Sequence, residues 1–187
     1  PDIDLNLMRP NQSLPQLTAG ILTHLDPVLA DLRPDWLLVQ GDTTTVMAAA
    51  LLGYYHRIQV GHVEAGLRTH DKWQPFPEEI NRRVASVVAD LHFAPTEHSR
   101  RNLLSEGVPD ENIVVTGNPV IDALNIITQR PAPAQARDLL DRLGVSAGER
   151  ELVLVTAHRR ENFGQPLEDI CAALRELAET YPQRLQF

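Results

Sequence analysis

Three acidic side chains stand just past short apolar runs. They are Asp42 in Gln40-Gly41-Asp42-Thr43-Thr44-Thr45, Glu64 in Gly61-His62-Val63-Glu64-Ala65-Gly66-Leu67-Arg68, and Glu78 in Pro77-Glu78-Glu79-Ile80-Asn81-Arg82. Carboxylates brought from separate loops to one place can take a proton and give one back. Farther along, His158-Arg159-Arg160-Glu161-Asn162 sets an imidazole and two guanidinium groups after another apolar run. Arginine forks onto two phosphate oxygens, and histidine donates to a third or moves a proton, so a negatively charged leaving group could be held there. The pattern reads as an enzyme acting on a phosphorylated substrate.

Each feature also has a plainer use. Asp42 is a good N-cap for a helix starting at Thr43, and a capping role does not exclude a chemical one. Glu64, partly buried, needs a partner such as Arg68, His62 or a ligand. Glu78 and Glu79 follow Pro77 in a first helical turn, where the helix dipole alone favours acids. The cations after residue 157 could pair with Glu161 or Glu168, although three of them beside a buried strand are costly unless something anionic is near.

The elements that must position these groups alternate. Leu14, Leu17, Ile21, Leu25, Val28 and Leu32 recur at helical spacing. Strands are expected over 35–40, 58–63, 91–94, 113–116 and 152–156. Helices are expected over 43–56, 78–89, from the N-cap Thr96 to a stop at Gly107, from Pro119, over 136–143 and over 166–181. Repeated strand-helix units imply an α/β fold, a parallel sheet with helices on both faces. In such a sheet, ligands bind beyond the carboxyl ends of the strands, the edge where Asp42, Glu64 and His158 fall. Pro131-Ala132-Pro133-Ala134 breaks the rhythm, which places one domain at 1–130, a connection at 131–149 and the start of another domain at 150–187.

The 187 residues include 17 Lys and Arg against 25 Asp and Glu, a net charge of −8, which argues against a nucleic-acid surface. Any anionic ligand must be met by local positive charge. Apolar runs fall short of the ~20 residues that cross a bilayer, and the first residues lack a secretion pattern, so a cytoplasmic protein without a membrane partner is expected. No Gly-x-Gly-x-x-Gly follows a strand and no Gly-Lys-Ser/Thr loop is present, so no nucleotide cofactor is expected. His62, His70, His92 and His98 lack ligand spacing with Cys or Asp, so no metal is expected either. The single cysteine, Cys171, sits at an apolar helical position and reads as a buried small hydrophobe.

These motifs, together with Thr116-Gly117-Asn118-Pro119-Val120-Ile121-Asp122, resemble the non-hydrolysing UDP-N-acetylglucosamine 2-epimerases, over residues 1 to 187 and in the same order. The resemblance implies a glycosyltransferase-B-like fold, with a Rossmann-like parallel sheet domain and the start of a second α/β domain. It implies interconversion of UDP-N-acetylglucosamine and UDP-N-acetylmannosamine by inversion at C2, through elimination and re-addition of UDP, with no cofactor. Carried over by motif, Asp42, Glu64 and Glu78 are the proton-transfer candidates and His158 contacts the diphosphate. Arg82 and Arg159 are candidates for substrate phosphate, and Glu79 orients its neighbours. In some members a second UDP-N-acetylglucosamine activates through two glutamines; here Gln12 matches one and Arg9 replaces the other. Homodimers are a further expectation of the family.

Pro1 is not a start residue, and the family's Gly-Thr-Arg-Pro-Glu loop and most of its uridine-binding domain have no counterpart, so the chain is expected to be a fragment with weak or no turnover. Three readings compete with the epimerase: a hydrolysing relative that releases N-acetylmannosamine and UDP, a glycosyltransferase of the same architecture, and a non-catalytic remnant.

Overall fold

The computed structural model describes residues 2–157 and 162–187. The chain divides into two compact units, Pro1–Pro119 and Val120–Phe187.

The first unit begins with α1 (Leu14–Leu32), opened by a reciprocal cap in which Ser13 Oγ accepts from Gln16 N and Gln16 Oε1 accepts from Ser13 N. Then come β1 (Trp36–Gln40), α2 (Thr44–Tyr55), β2 (Gln59–Val63), α3 (Glu78–Val88), β3 (Leu91–Ala94), α4 (Glu97–Ser105) and β4 (Ile113–Val115). The four strands are parallel and lie in the order β1-β2-β3-β4, with Val39 beside His62, His62 beside His92, and His92 beside Ile113. The strand limits agree with the expected ones to within one residue, because each apolar run is closed by a glycine, a proline or a polar residue.

Strands that follow one another in space, joined by right-handed crossovers, place their helices on the same side. Leu37, Val39 and Val60 accordingly pack on Leu25, Leu29, Val46, Ala49, Ala50 and Leu52, while Ala94 and Ile113 pack on Leu103. The expectation of helices on both faces is corrected here. On the opposite face Trp36 is 42% and Leu38 64% exposed, and Val114 is open as well.

Small residues bring the helix layer close to the sheet. A methyl group added at Gly53 in α2 would stand 2.7 Å from Val60 Cγ2. Past β2, Gly66 combines a φ of +84° with an approach to α4 so tight that an added Cβ would lie 2.3 Å from the Ser99 carbonyl oxygen. Asn102 Nδ2 locks this approach by donating to the Gly66 carbonyl at 2.9 Å.

The second unit carries most of α5 (Pro119–Thr128), then α6 (Ala134–Arg142), β5 (Glu151–Leu152), α7 (Gln165–Thr180) and β6 (Leu185–Gln186). β5 and β6 pair in parallel. The strand expected over 152–156 is thus confined to Glu151–Leu152. Cys171, expected to be buried, is exposed, and none of the described residues of α7 is buried, because a sheet of two two-residue strands offers little area to cover its apolar face. Among the described residues, no helix is long and apolar enough to cross a membrane.

His62 and His92 lie side by side in the sheet with almost no exposure. Burial, reinforced by the neighbouring His62 and Arg68, pulls the His92 pKa down to about 4 from an ordinary 6.5. The unfolded chain therefore takes up this proton first. The stability contributed by a neutral His92 is complete above pH 6.5 and is lost as pH falls from 6.5 towards 4. Urea unfolding between pH 7.5 and 5 is expected to show falling stability, with a shallower fall in His92→Leu; equal slopes would remove His92 as a source.

Candidate active site

The chemistry-bearing residues gather at the carboxyl edge of β1 and β2. After β1 the chain turns at Gly41, whose φ is +84°, and Gly41 N donates to the Val63 carbonyl at 3.0 Å, tying the turn to the end of β2. Thr43, not Asp42, caps α2, its hydroxyl accepting from Val46 N at 3.4 Å. That leaves the Asp42 carboxylate free of helix capping. It takes an ion pair from Arg82 instead, with Nη2 to Oδ2 at 2.6 Å, while Asn81 Nδ2 donates to the Asp42 carbonyl at 2.9 Å. Two neighbouring residues of α3 thus hold both the backbone and the side chain of Asp42.

Glu64 closes β2 in a left-handed conformation, φ +67°, which a residue with a Cβ adopts at a cost of about 1 kcal/mol. The turn swings the carboxylate back toward β1, where an added Cβ on Gly41 would stand 3.8 Å from Glu64 Oε2. That is an ordinary contact distance, so what calls for glycine at 41 is the φ of +84° and not the space. The other oxygen, Oε1, accepts from Asn118 Nδ2 at 3.1 Å. Arg68, one of the partners considered for Glu64, turns elsewhere: its buried guanidinium forks onto Glu106 at 2.8 and 2.7 Å and reaches Ser86 Oγ. Those bonds hold the Glu106 carboxyl below its ordinary range.

Glu78 opens α3, is half-buried, and precedes Arg82 by one turn on the same side of the helix. Glu79 points inward and is fully buried. Its carboxylate accepts from the amides of Thr69 and His70 at 3.2 and 3.3 Å and faces Arg82 Nη1 at 3.5 Å. It therefore fastens the loop after β2 to α3 while compensating the charge of Arg82. Arg82 Nε is buried without a hydrogen-bond partner among the described residues.

His62 is also enclosed, and its Nε2 lies 2.8 Å from the Gly41 carbonyl. Burial lowers its pKa, with Arg68 acting in the same direction. Arg9 and Gln12 fall apart from the carboxylates, in a cleft at the start of α1 that Asn11, Gln16 and His24 also line. His158 and Arg159 lie outside the described residues.

Asp42, Glu64 and Arg82 are thus brought together, with Glu78 one helical turn from Arg82. The roles of Asn81 and Asn118 have no signature in spacing, since each is one amide inside a longer motif. The Pro after Asn118, which ends a loop at the strand edge, is the feature that could have drawn attention to it.

The family model described as UDP-N-acetylglucosamine 2-epimerase matches residues 1–186. The chain belongs to this family. The UDP-N-acetylglucosamine 2-epimerase of Yersinia pestis is 51% identical over 185 residues, which are 98% of this chain and 49% of that protein. That of Salmonella typhimurium is 52% identical over 180 residues, 95% and 48% of the respective lengths. The chain spans about half the length of the curated epimerases it matches. Among solved structures, the Neisseria meningitidis UDP-GlcNAc 2-epimerase bound to UDP-GlcNAc superposes with a TM-score of 0.88 at 44% identity, covering 100% of this chain and 52% of the other. The Methanocaldococcus jannaschii epimerase in complex with UDP-GlcNAc and UDP gives 0.84 at 34% identity, covering 99% and 49%. The glycosyltransferase-B-like α/β architecture of these epimerases is the fold of this chain.

Replacing Glu79 with Gln removes the charge that faces Arg82 and exchanges one amide acceptor for a donor. Leaving a buried cation half-compensated costs about 2–3 kcal/mol. Chemical denaturation of Glu79→Gln is expected to show a loss of that size, and a loss under about 0.5 kcal/mol would mean that the loop and Arg82 are held by other contacts.

Proposed function

We propose that the polypeptide carrying these residues interconverts UDP-N-acetylglucosamine and UDP-N-acetylmannosamine. A carboxylate removes the proton from sugar C2, the bond between C1 and the UDP oxygen breaks, and a C1=C2 double bond remains in 2-acetamidoglucal. UDP then returns to C1 while a second acid delivers a proton to the opposite face of C2. The C2 proton is weakly acidic, so its removal becomes feasible as cationic character builds at C1 during departure of the diphosphate. Stabilising that departure calls for positive charge, the part given to His158 and Arg159.

The observation that carries this reading is the approach of Glu64 to Asp42 across the β1 and β2 edge, where Glu64 Oε2 lies against Gly41 in the turn that bears Asp42. Two acids from different loops can address two faces of one carbon. Glu78 is the third candidate for proton transfer. Arg82, already engaged by Asp42 and Glu79, acts on the substrate through its orientation of Asp42. The relatives named for this epimerisation and the neighbour bound to UDP-GlcNAc support the same substrate class.

A polypeptide of full family length that contains this sequence, incubated with UDP-N-acetylglucosamine in deuterated water, is expected to place deuterium at C2 of both nucleotide sugars. Product without label would exclude proton transfer at C2, and free N-acetylmannosamine in place of nucleotide sugar would assign the hydrolysing reaction. In the same polypeptide Glu64→Gln is expected to lower kcat by ~100-fold. A near-normal rate with unchanged folding would leave Glu64 with a structural role alone.

A further inference from the structure

The helix-facing side of the sheet is apolar at Leu37, Val39, Val60, Ala94 and Ile113, yet histidine occupies two central positions, 62 and 92. A fully enclosed imidazole is costly unless its polar atoms are used. His62 uses one: Nε2 lies 2.8 Å from the carbonyl oxygen of Gly41, whereas Nδ1 is buried with no partner among the described residues. A carbonyl only accepts, so Nε2 carries the proton and the bare lone pair is on Nδ1. The opposite tautomer would bury an unpaired N–H and set a lone pair against the carbonyl.

The acceptor's place gives this bond its significance. Gly41 is the residue before Asp42 and the one against which the Glu64 carboxylate lies. Its amide is already fixed by the Val63 carbonyl, so the His62 bond fixes the other end of the same residue, from the strand that carries Glu64 two positions later. We propose that His62 is a positioning residue that, through a neutral Nε2–H tautomer, sets the turn bearing Asp42 at a fixed distance from Glu64.

This inference rests on the proton-transfer roles proposed above for Asp42 and Glu64. Burial keeps the ring uncharged, with Arg68 and Arg82 acting in the same direction and His92 packed beside it in the sheet, and together these outweigh the Gly41 carbonyl and Asp42, which favour the charged form. Misplacing a reacting group by about 1 Å can lower a rate ~100-fold, so a clamp on the turn matters to turnover more than to binding.

The test separates the two ring nitrogens. The amide of Gln reaches the position of Nε2, and that of Asn the position of Nδ1. In the full-length polypeptide His62→Gln is expected to keep kcat within about threefold, whereas His62→Asn and His62→Leu lower it ~10- to 100-fold, with KM changed less than about threefold. Equal loss in Gln and Asn at equal stability, or three near-normal rates, would overturn the proposal. Independently of folding of the variants and of any activity, nitrogen-15 spectra of the unsubstituted chain are expected to show His62 neutral from pH 6 to 8 with the proton on Nε2. A proton on Nδ1, or a charged ring at pH 7, would also overturn it. An unsubstituted full-length polypeptide with no epimerase activity but with this tautomer would instead count against the proposed function.

Discussion

Arg82 between Asp42 and Glu79 is the interaction on which the arrangement of the site depends. The guanidinium is almost wholly enclosed, so its charge must be answered within the protein, and it is answered from two directions. Asp42 comes from the turn after β1 and Glu79 from the first turn of α3 itself. Because Glu79 also takes the amides of Thr69 and His70, one cation joins the β1 edge, the loop after β2 and α3. With Arg82 neutralised from inside, Asp42 is held in one orientation at a partly open position where a substrate can reach it.

The backbone contributes restraints of the same kind. Glu64 adopts a left-handed turn, Gly41 another, and the Gly41 amide is bonded to the last residue of β2. Each conformation is unfavourable or restrictive alone, and each persists because neighbouring bonds over-determine it. The carboxylates are therefore set by main-chain geometry as well as by side-chain pairing. Arg68 and Glu106 do comparable work one layer away, closing the loop after β2 over the end of α4.

What the sequence discloses follows from how local each feature is. Apolar runs closed by Gly41, Glu64 and Pro95 mark strand ends because a break in hydrophobic pattern is a property of adjacent residues. The cap at Thr96 and the stop at Gly107 are similarly local. Which carboxylate meets which cation is not: Arg68 pairs with Glu106, 38 positions away, and Arg82 with Asp42, 40 away, so the plausible near partner Glu64 goes to Asn118 instead. The one-sided helix layer depends on strand order, which no single segment encodes. Cys171 misleads because helical spacing reports a face suited to burial, and only packing neighbours convert that face into a core.

Glu79 also separates the loop from the chemistry at its ends. By gripping the amides of Thr69 and His70 from the base of α3, it draws the stem shut like a purse, with Lys72, Trp73 and Phe76 on the outside. Drift in the composition or length of that outer arc would be absorbed before it reached the carboxylates, leaving the arc free to diversify while the acids beneath it stay in place.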